Sequence, residues 1–188
     1  MGVRRWTRLI LGLGSVALVV AGLGTVLAPK LSAAQPSPQE PALVRHAARE
    51  VEVYFSRRPE SDGDFSAVFP VSRTSPDAGV ATAALGALIA GPTPDETAAG
   101  YFSELGTMLV GPSNCGGADF TIRIEAGLAT VRFCREISSG GIGQDARAKS
   151  ALEATLRQFP TIQRTRLLSP AGDCLFDMTG ENRCLNAP

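Results

Sequence analysis

Residues 9–28, LILGLGSVALVVAGLGTVLA, carry no charged side chain and follow a basic start, MGVRRWTR. A basic head joined to an apolar run is the pattern of an export segment. The run is long for a cleaved signal and just long enough to span a bilayer. Ser32 and Ala34 in LSAAQ supply the small pair of a signal-peptidase site. Cleavage after Ala34 and retention of residues 1–34 as an N-terminal anchor both fit this pattern. The cleavage site has no cysteine, which argues against a lipid anchor. Arg4-Arg5 resembles a twin-arginine signal only weakly, so a general export signal is expected. The export segment constrains everything after it: the rest of the chain is expected to fold where thiols oxidise.

Four cysteines follow, Cys115, Cys134, Cys174 and Cys184. An even count in an exported chain reads as disulfides, and four cysteines allow three pairings. A zinc site would need close pairs of the C-x2-C kind, and none is present. Charge is split along the chain. Arg4, Arg5, Arg8 and Lys30 precede residue 35 with no acid among them, which leaves the remainder with four more acids than bases. Such a surface does not attract phosphate backbones, so a nucleic-acid partner is not expected.

Residues 35–50 hold Pro36, Pro38 and Pro41. Proline fixes φ and removes a donor, so this stretch reads as an extended linker. His46, the sole histidine, sits at its end beside Arg45 and Arg49 and reads as solvated. The folded domain is expected over residues 51–188. VEVYF alternates and ends in aromatics, as a strand does. Residues 66–73, SAVFPVSR, read as a second strand, with Pro70 marking an edge or bulge. Between them Asp62, Gly63 and Asp64 faintly resemble a calcium loop. The ligand spacing is not met, and a tight turn is expected instead.

The next segment predicts a helix. Ser75 can cap it, Pro76 suits the first helical position and Asp77 suits the positive end. Val80, Ala84, Leu85, Leu88 and Ile89 recur on one face, Gly91 supplies the stop, and Pro92 cannot continue the helix. Thr93 and Glu96 read as a capping box opening a short helix that Gly100 ends. Residues 118–134 read as a β-hairpin with Ala126-Gly127 at its tip. That register sets Glu125 against Leu128 and Asp119 against Cys134. Cys115 lies four residues before Asp119 across Gly116-Gly117, which predicts a Cys115–Cys134 bond. Residues 142–160 read as the second main helix. Its buried stripe is Ala148, Ala151, Leu152, Thr155, Leu156 and Phe159, its wet face holds Arg147, Lys149, Glu153 and Arg157, and Pro160 stops it. Residues 161–170 read as a strand. A turn at Thr179-Gly180 brings Cys174 to Cys184 and predicts the second bond, worth about 2–4 kcal/mol for so short a loop. The mixture without strict alternation predicts an α+β fold: a mixed sheet with two main helices on one face and a C-terminal disulfide hairpin.

These segments in this order resemble the GerMN domain family. The resemblance rests on VEVYF, VFPVSR ending at Arg73, ALGALIAGPTPDETAAGYFSEL, GLATVRF and ALEATLRQFPTIQRTRLL, with LIAGPTPDE followed by Gly100 as its most specific piece. It covers residues 51–178. It implies an extracytoplasmic, non-enzymatic module of the cell envelope, similar in fold to small ring-building modules, that meets other proteins. The cysteines are not a hallmark of the family. A single domain without a neighbour is expected, so a role in germination does not follow from the family name.

SSGGIGQDA, residues 138–146, spells G-x-G-x-x-A through Gly141, Gly143 and Ala146. A dinucleotide fingerprint follows its strand at once and carries an acid about 20 residues on. Here the strand ends near Cys134, and Arg164 and Arg166 occupy the acidic region, so the glycines read as a loose connection and no cofactor is expected. No G-x-S-x-G elbow is present and the histidine lies in the linker, so no catalytic residue is nominated. Glu104 and Asp119 can be paired on paper, with nothing to bring them together. Tyr54, Phe55 and Phe69 are aromatic candidates for a binding face but fit a core better. The arginines of IQRTRLL read as a solvent face. The expected function is an exported or membrane-tethered interaction module whose partners are envelope proteins, itself or cell wall. The alternative is an envelope enzyme or ligand-binding protein acting on cell-wall glycans.

Overall fold

A computed structural model of the chain describes residues 48–75 and 79–186. The export segment, linker residues 35–47 with His46, and Pro76 and Asp77 lie outside those residues, while Arg49 and Glu50, expected in the linker, belong to β1. The elements run β1 (Arg49–Arg57), α1 (Glu60–Gly63), β2 (Phe69–Ser75), α2 (Val80–Ala90), α3 (Pro94–Ala98), β3 (Tyr101–Phe102), α4 (Leu105–Met108), β4 (Leu109–Val110), β5 (Phe120–Glu125), β6 (Leu128–Phe133), β7 (Glu136–Ile137), α5 (Ile142–Arg157) and β8 (Arg164–Leu168). A 3-10 turn, Arg183–Leu185, closes the described part. The α+β class and the two main helices are as the sequence predicts.

The strands do not form one continuous sheet. They divide into β2-β1-β3, β4-β7 and β5-β6-β8. The reason lies on one edge of β1. β2 pairs along most of its length, whereas β3 reaches only Ser56 and Arg57 on the other side. Beyond that point α5 takes over. The Gln158 amide accepts from Glu52 N–H at 2.8 Å and donates back to the Glu52 carbonyl. Thr155 Oγ1 accepts from Tyr54 N–H at 3.0 Å. Backbone groups this far inside need partners, and two side chains stand in for a neighbouring strand.

The core forms between these layers. α2 and α5 pack on β1 and on each other. Val53 and Phe55 of β1 meet Leu85 and Leu88 of α2, Leu152 and Leu156 of α5, and Ala129, Val131 and Phe133 of β6. Each large side chain buried this way stabilises by about 1.5–3 kcal/mol. The predicted stripes of both helices supply these residues because their spacing places them on one face.

The β5–β6 hairpin has the expected register, with Glu125 opposite Leu128. Ala126 (φ 46°) and Gly127 (φ 79°) both take positive φ, as a two-residue turn of this twist requires. The Gly127 carbonyl accepts from Gln163 N–H (2.8 Å) and Arg164 N–H (3.0 Å), so the turn also seats the start of β8. β8 runs parallel to β6, and α5 is the crossover between them.

Local boundaries depart from the sequence expectations in several places: β1 begins at Arg49, β2 spans Phe69–Ser75 instead of 66–73, β8 spans Arg164–Leu168 instead of 161–170, and three further departures have a visible cause. Ser75 does not cap α2. It ends β2, pairs with Arg49 and is buried, while α2 begins at Val80 behind Gly79. The extra ladder pairs made by Arg49 and Glu50 claim that backbone for the strand. The turn expected at Asp62-Gly63 is one turn of helix. Buried Ser61 fixes it by accepting from Arg57 N–H (2.8 Å) and donating to the Ala67 carbonyl (2.7 Å). Finally, α5 ends at Arg157, before Pro160. The Thr93–Glu96 capping box, the Gly91 stop and Pro70 on an edge strand are all present. No helix among the described residues is long and apolar enough to cross a membrane.

Candidate functional site

The glycine-rich loop leads into α5, and its own neighbours occupy its donors. Gly141 N–H donates to Ser139 Oγ at 3.1 Å, and Gly140 N–H donates to Gln144 Oε1. A side chain built at Gly143 would meet the Phe65 ring at 3.1 Å. Phe65 thus lies directly against the loop at Gly143. A parallel β6–α5–β8 unit does exist, but β7 and the loop separate β6 from the glycines.

Around that loop, arginines and aromatic rings alternate. The Arg147 guanidinium lies 5.1 Å from the Phe65 centroid and 5.7 Å from that of Phe102. Arg58 approaches the same Phe102 ring at 5.1 Å. In a second stack Arg57 sits 4.1 Å from Phe69 and 5.7 Å from Tyr101. Such contacts contribute about 0.5–1 kcal/mol each when exposed. β1, β3 and the entry of α5 position this set: Tyr101 and Phe102 lie opposite Arg57 and Ser56 across the short ladder. Arg147 does not face water as its helical position suggests. Nε and Nη2 both donate to Glu104 Oε1, at 2.8 and 2.7 Å, while Gln144 donates to Oε2 at 3.1 Å. Arg57 pairs with Glu60 at 2.8 Å. Its hydrogen bond to that carboxyl lowers the Glu60 pKa and raises its own. Phe65 and Ile142 are exposed, Ile142 by 67%. Exposed apolar groups set among arginines and rings match the residue types that dominate protein interfaces. The arrangement offers contact surface and oriented donors; it brings no nucleophile to a base.

The other nominated residues fall as follows. Cys115 and Cys134 are bonded, as are Cys174 and Cys184, and no cysteine is free. Asn114 N–H donates to the Cys134 carbonyl and Cys134 N–H to the Asp119 carbonyl, both at 2.8 Å, so the Gly116-Gly117 excursion folds back on β6 as expected. Asp177 orders the C-terminal excursion, accepting from Thr179 and Arg183 N–H. Those bonds hold its carboxyl below the usual range, the Thr179 hydroxyl most of all. Glu104 and Asp119 go to separate partners, since Asp119 lies 3.3 Å from Arg135. Asp64 accepts from Ser66 N–H and Oγ, and Asp62 faces Arg58 at 3.7 Å, which accounts for the calcium-like triplet. Among the described residues no cluster of His, Cys, Asp or Glu is placed to hold a metal. Of the three strand aromatics, Phe55 is core, while Phe69 joins the arginine stack. Arg57, Arg58 and Phe65 lie in a stretch that the sequence presents as a turn-rich connection, and Phe102 lies in a segment that carries the family resemblance, so none of them stands out as a contact residue. The available signal was the arginine doublet beside a turn containing Phe65.

A disulfide-closed α+β module is the class these features define. Residues 52–169 match the Germane family, described as sporulation and spore germination, and the chain belongs to that family. Among solved structures, the tandem GerMN domains of the sporulation protein GerM from Bacillus subtilis are similar at 19% identity and a TM-score of 0.44. That similarity covers 70% of this chain and 45% of the other. This chain thus spans less than half the length of that relative. No curated protein matches the sequence.

Proposed function

We propose that the chain is an exported or membrane-tethered module of the cell envelope that works by binding protein partners and not by catalysis. The observation that carries the reading is the closure of all four cysteines into two disulfides, downstream of a basic–apolar export pattern. Disulfides of this kind persist outside the reducing cytoplasm. Membership of a sporulation and germination family supports a role at the envelope, and the arginine–aromatic end supplies the contact face. The partners are envelope proteins or further copies of the chain, with the membrane reached through residues 1–34 if they are retained.

A photo-crosslinker at Ile142 in intact cells tests this, with one at exposed Thr121 as control. Envelope proteins or self-oligomers captured from position 142 alone support the reading. Background from both positions sinks it. Fractionation with sequencing of the mature N-terminus decides between anchor and cleaved signal. Binding and turnover of purified peptidoglycan would instead favour the glycan-acting alternative.

A further inference from the structure

A second surface, apart from the arginine–aromatic end, lies along the outer edge of β8. The backbone there alternates. Leu167 carbonyl accepts from Leu175 N–H at 2.9 Å, and Ser169 N–H donates to the Asp173 carbonyl at 2.8 Å, so odd-numbered residues face outward. The even-numbered ones face β6. Thr165 is the next outward residue, and the C-terminal disulfide excursion stops short of it. Among the described residues nothing hydrogen-bonds to its N–H or carbonyl. A cavity of about 270 Å³ opens at this point, lined by Arg157, Arg164, Thr165, Arg166, Glu153 and Cys184, among others.

Three of those side chains are cationic. Arg164 is exposed and its guanidinium has no ion pair among the described residues. Arg157 is half-exposed and pairs with Glu153 at 2.5 Å, the acid of the cavity. Arg166 uses Nε on the Cys184 carbonyl at 2.9 Å, which leaves its terminal nitrogens available. An open strand edge exposes a donor and an acceptor that a second extended chain can pair with. Guanidinium groups beside it select carboxylates. The rest of residues 35–188 is acidic on balance, so the cavity is a local reversal of charge.

We propose that this edge binds an acidic peptide in extended form, whose backbone pairs with Thr165 and whose carboxylates meet Arg164, Arg157 and Arg166. The proposal does not depend on the partner reading of the arginine–aromatic end, and purified components test it. The probe is a fluorescein-labelled nonapeptide of alternating Asp and Val, titrated with the full chain in detergent and followed by anisotropy. Its Asn–Val counterpart is expected to bind at least about tenfold more weakly, since each charge-assisted bond lost is worth roughly that factor. Arg164→Gln is expected to weaken the Asp peptide about fivefold or more on the same ground. Thr165→Pro removes the outward N–H and is expected to weaken both peptides together, a loss that a purely electrostatic patch would not show. Circular dichroism and disulfide mapping confirm that each variant folds. Should Thr165→Pro fail to fold, Arg157→Gln with Arg164→Gln, at exposed positions, carries the test. Equal binding of the Asn–Val peptide overturns the proposal. So does equally tight binding of polyphosphate that Thr165→Pro leaves unchanged, or occupation of the edge by a second copy, seen as dimerisation that Arg164→Gln abolishes.

Discussion

The two strand edges beside α5 are finished in different ways. On β1 the edge is sealed from inside, where Gln158 and Thr155 supply the donor and acceptors a neighbouring strand would have supplied. On β8 the edge is sealed from outside and only in part, by the Cys174–Cys184 excursion at Leu167 and Ser169. The first solution covers the edge with α5 and leaves it half-buried. The second leaves Thr165 open and flanks it with arginines. A covered edge can serve only stability, because an unpaired group there carries the full cost of lost hydration. A surface edge tolerates a gap, and charge beside it discourages indiscriminate pairing.

The strongest way to break the contrast is to unseal β1. Thr155→Val with Gln158→Leu strands the Glu52 and Tyr54 backbone groups and should cost about 3–5 kcal/mol in urea denaturation, summed over three unpaired groups. A cost under about 1 kcal/mol would mean that water replaces those side chains freely. The corresponding change on β8, Cys174→Ala with Cys184→Ala, should cost about 2–3 kcal/mol. Hydrogen exchange should then show the amides of Ser169 and Leu175 losing protection while those of Glu52 and Tyr54 keep it. Collapse of protection at both edges together would show them to be one cooperative unit.

Smaller effects sharpen the picture. Gly127→Ala forces a side chain into positive φ, with its Cβ 3.1 Å from Gln163 Oε1. It should cost about 1–2 kcal/mol and loosen the seat of β8 without touching β1. The smallest change falls on the outer edge strand β2, which Arg73 guards in its bidentate pair with Glu96 at 2.6–2.7 Å. Those bonds, more than any other influence, hold the Glu96 carboxyl below its ordinary value in the folded state. The unfolded chain therefore takes up that proton first as pH falls. The contribution is present above the ordinary glutamate range, about pH 4.3, and is lost as pH drops through the lower folded value. Glu96→Gln should cost about 1 kcal/mol at neutral pH and flatten the acid limb of a stability–pH curve, because it removes the ion pair while its amide oxygen can still accept from Thr93 N–H.

Local signals proved reliable where the information is itself local. The Ala126-Gly127 turn, the Thr93–Glu96 box, the Gly91 stop and the stripe from Ala148 to Leu156 each depend on residues within a few positions. Both disulfides were legible because the hairpin register and a short loop set the distances. Ser75 was misplaced because a strand pair 26 residues away outbid a helix cap. Arg147 was misread for a similar reason: its helical face is polar, yet α4 brings Glu104 to it and leaves the pair about one-fifth exposed. The glycine motif shows the same limit in reverse. Its spacing matches a dinucleotide fingerprint while its flanks read as a loose connection, and only the fold brings Phe65 against Gly143, beside local bonds to Ser139 and Gln144.

By itself, then, the sequence determined the two helices, the hairpin register and the cysteine pairs, which follow from spacing and turn chemistry, and it carried the segments by which the family is recognised. Only the tertiary structure decided how the strands divide, which edge is sealed and where the arginines gather. Those outcomes depend on side chains up to 106 residues apart competing for the same backbone groups, as Gln158 does for Glu52. No periodicity along the chain records that competition.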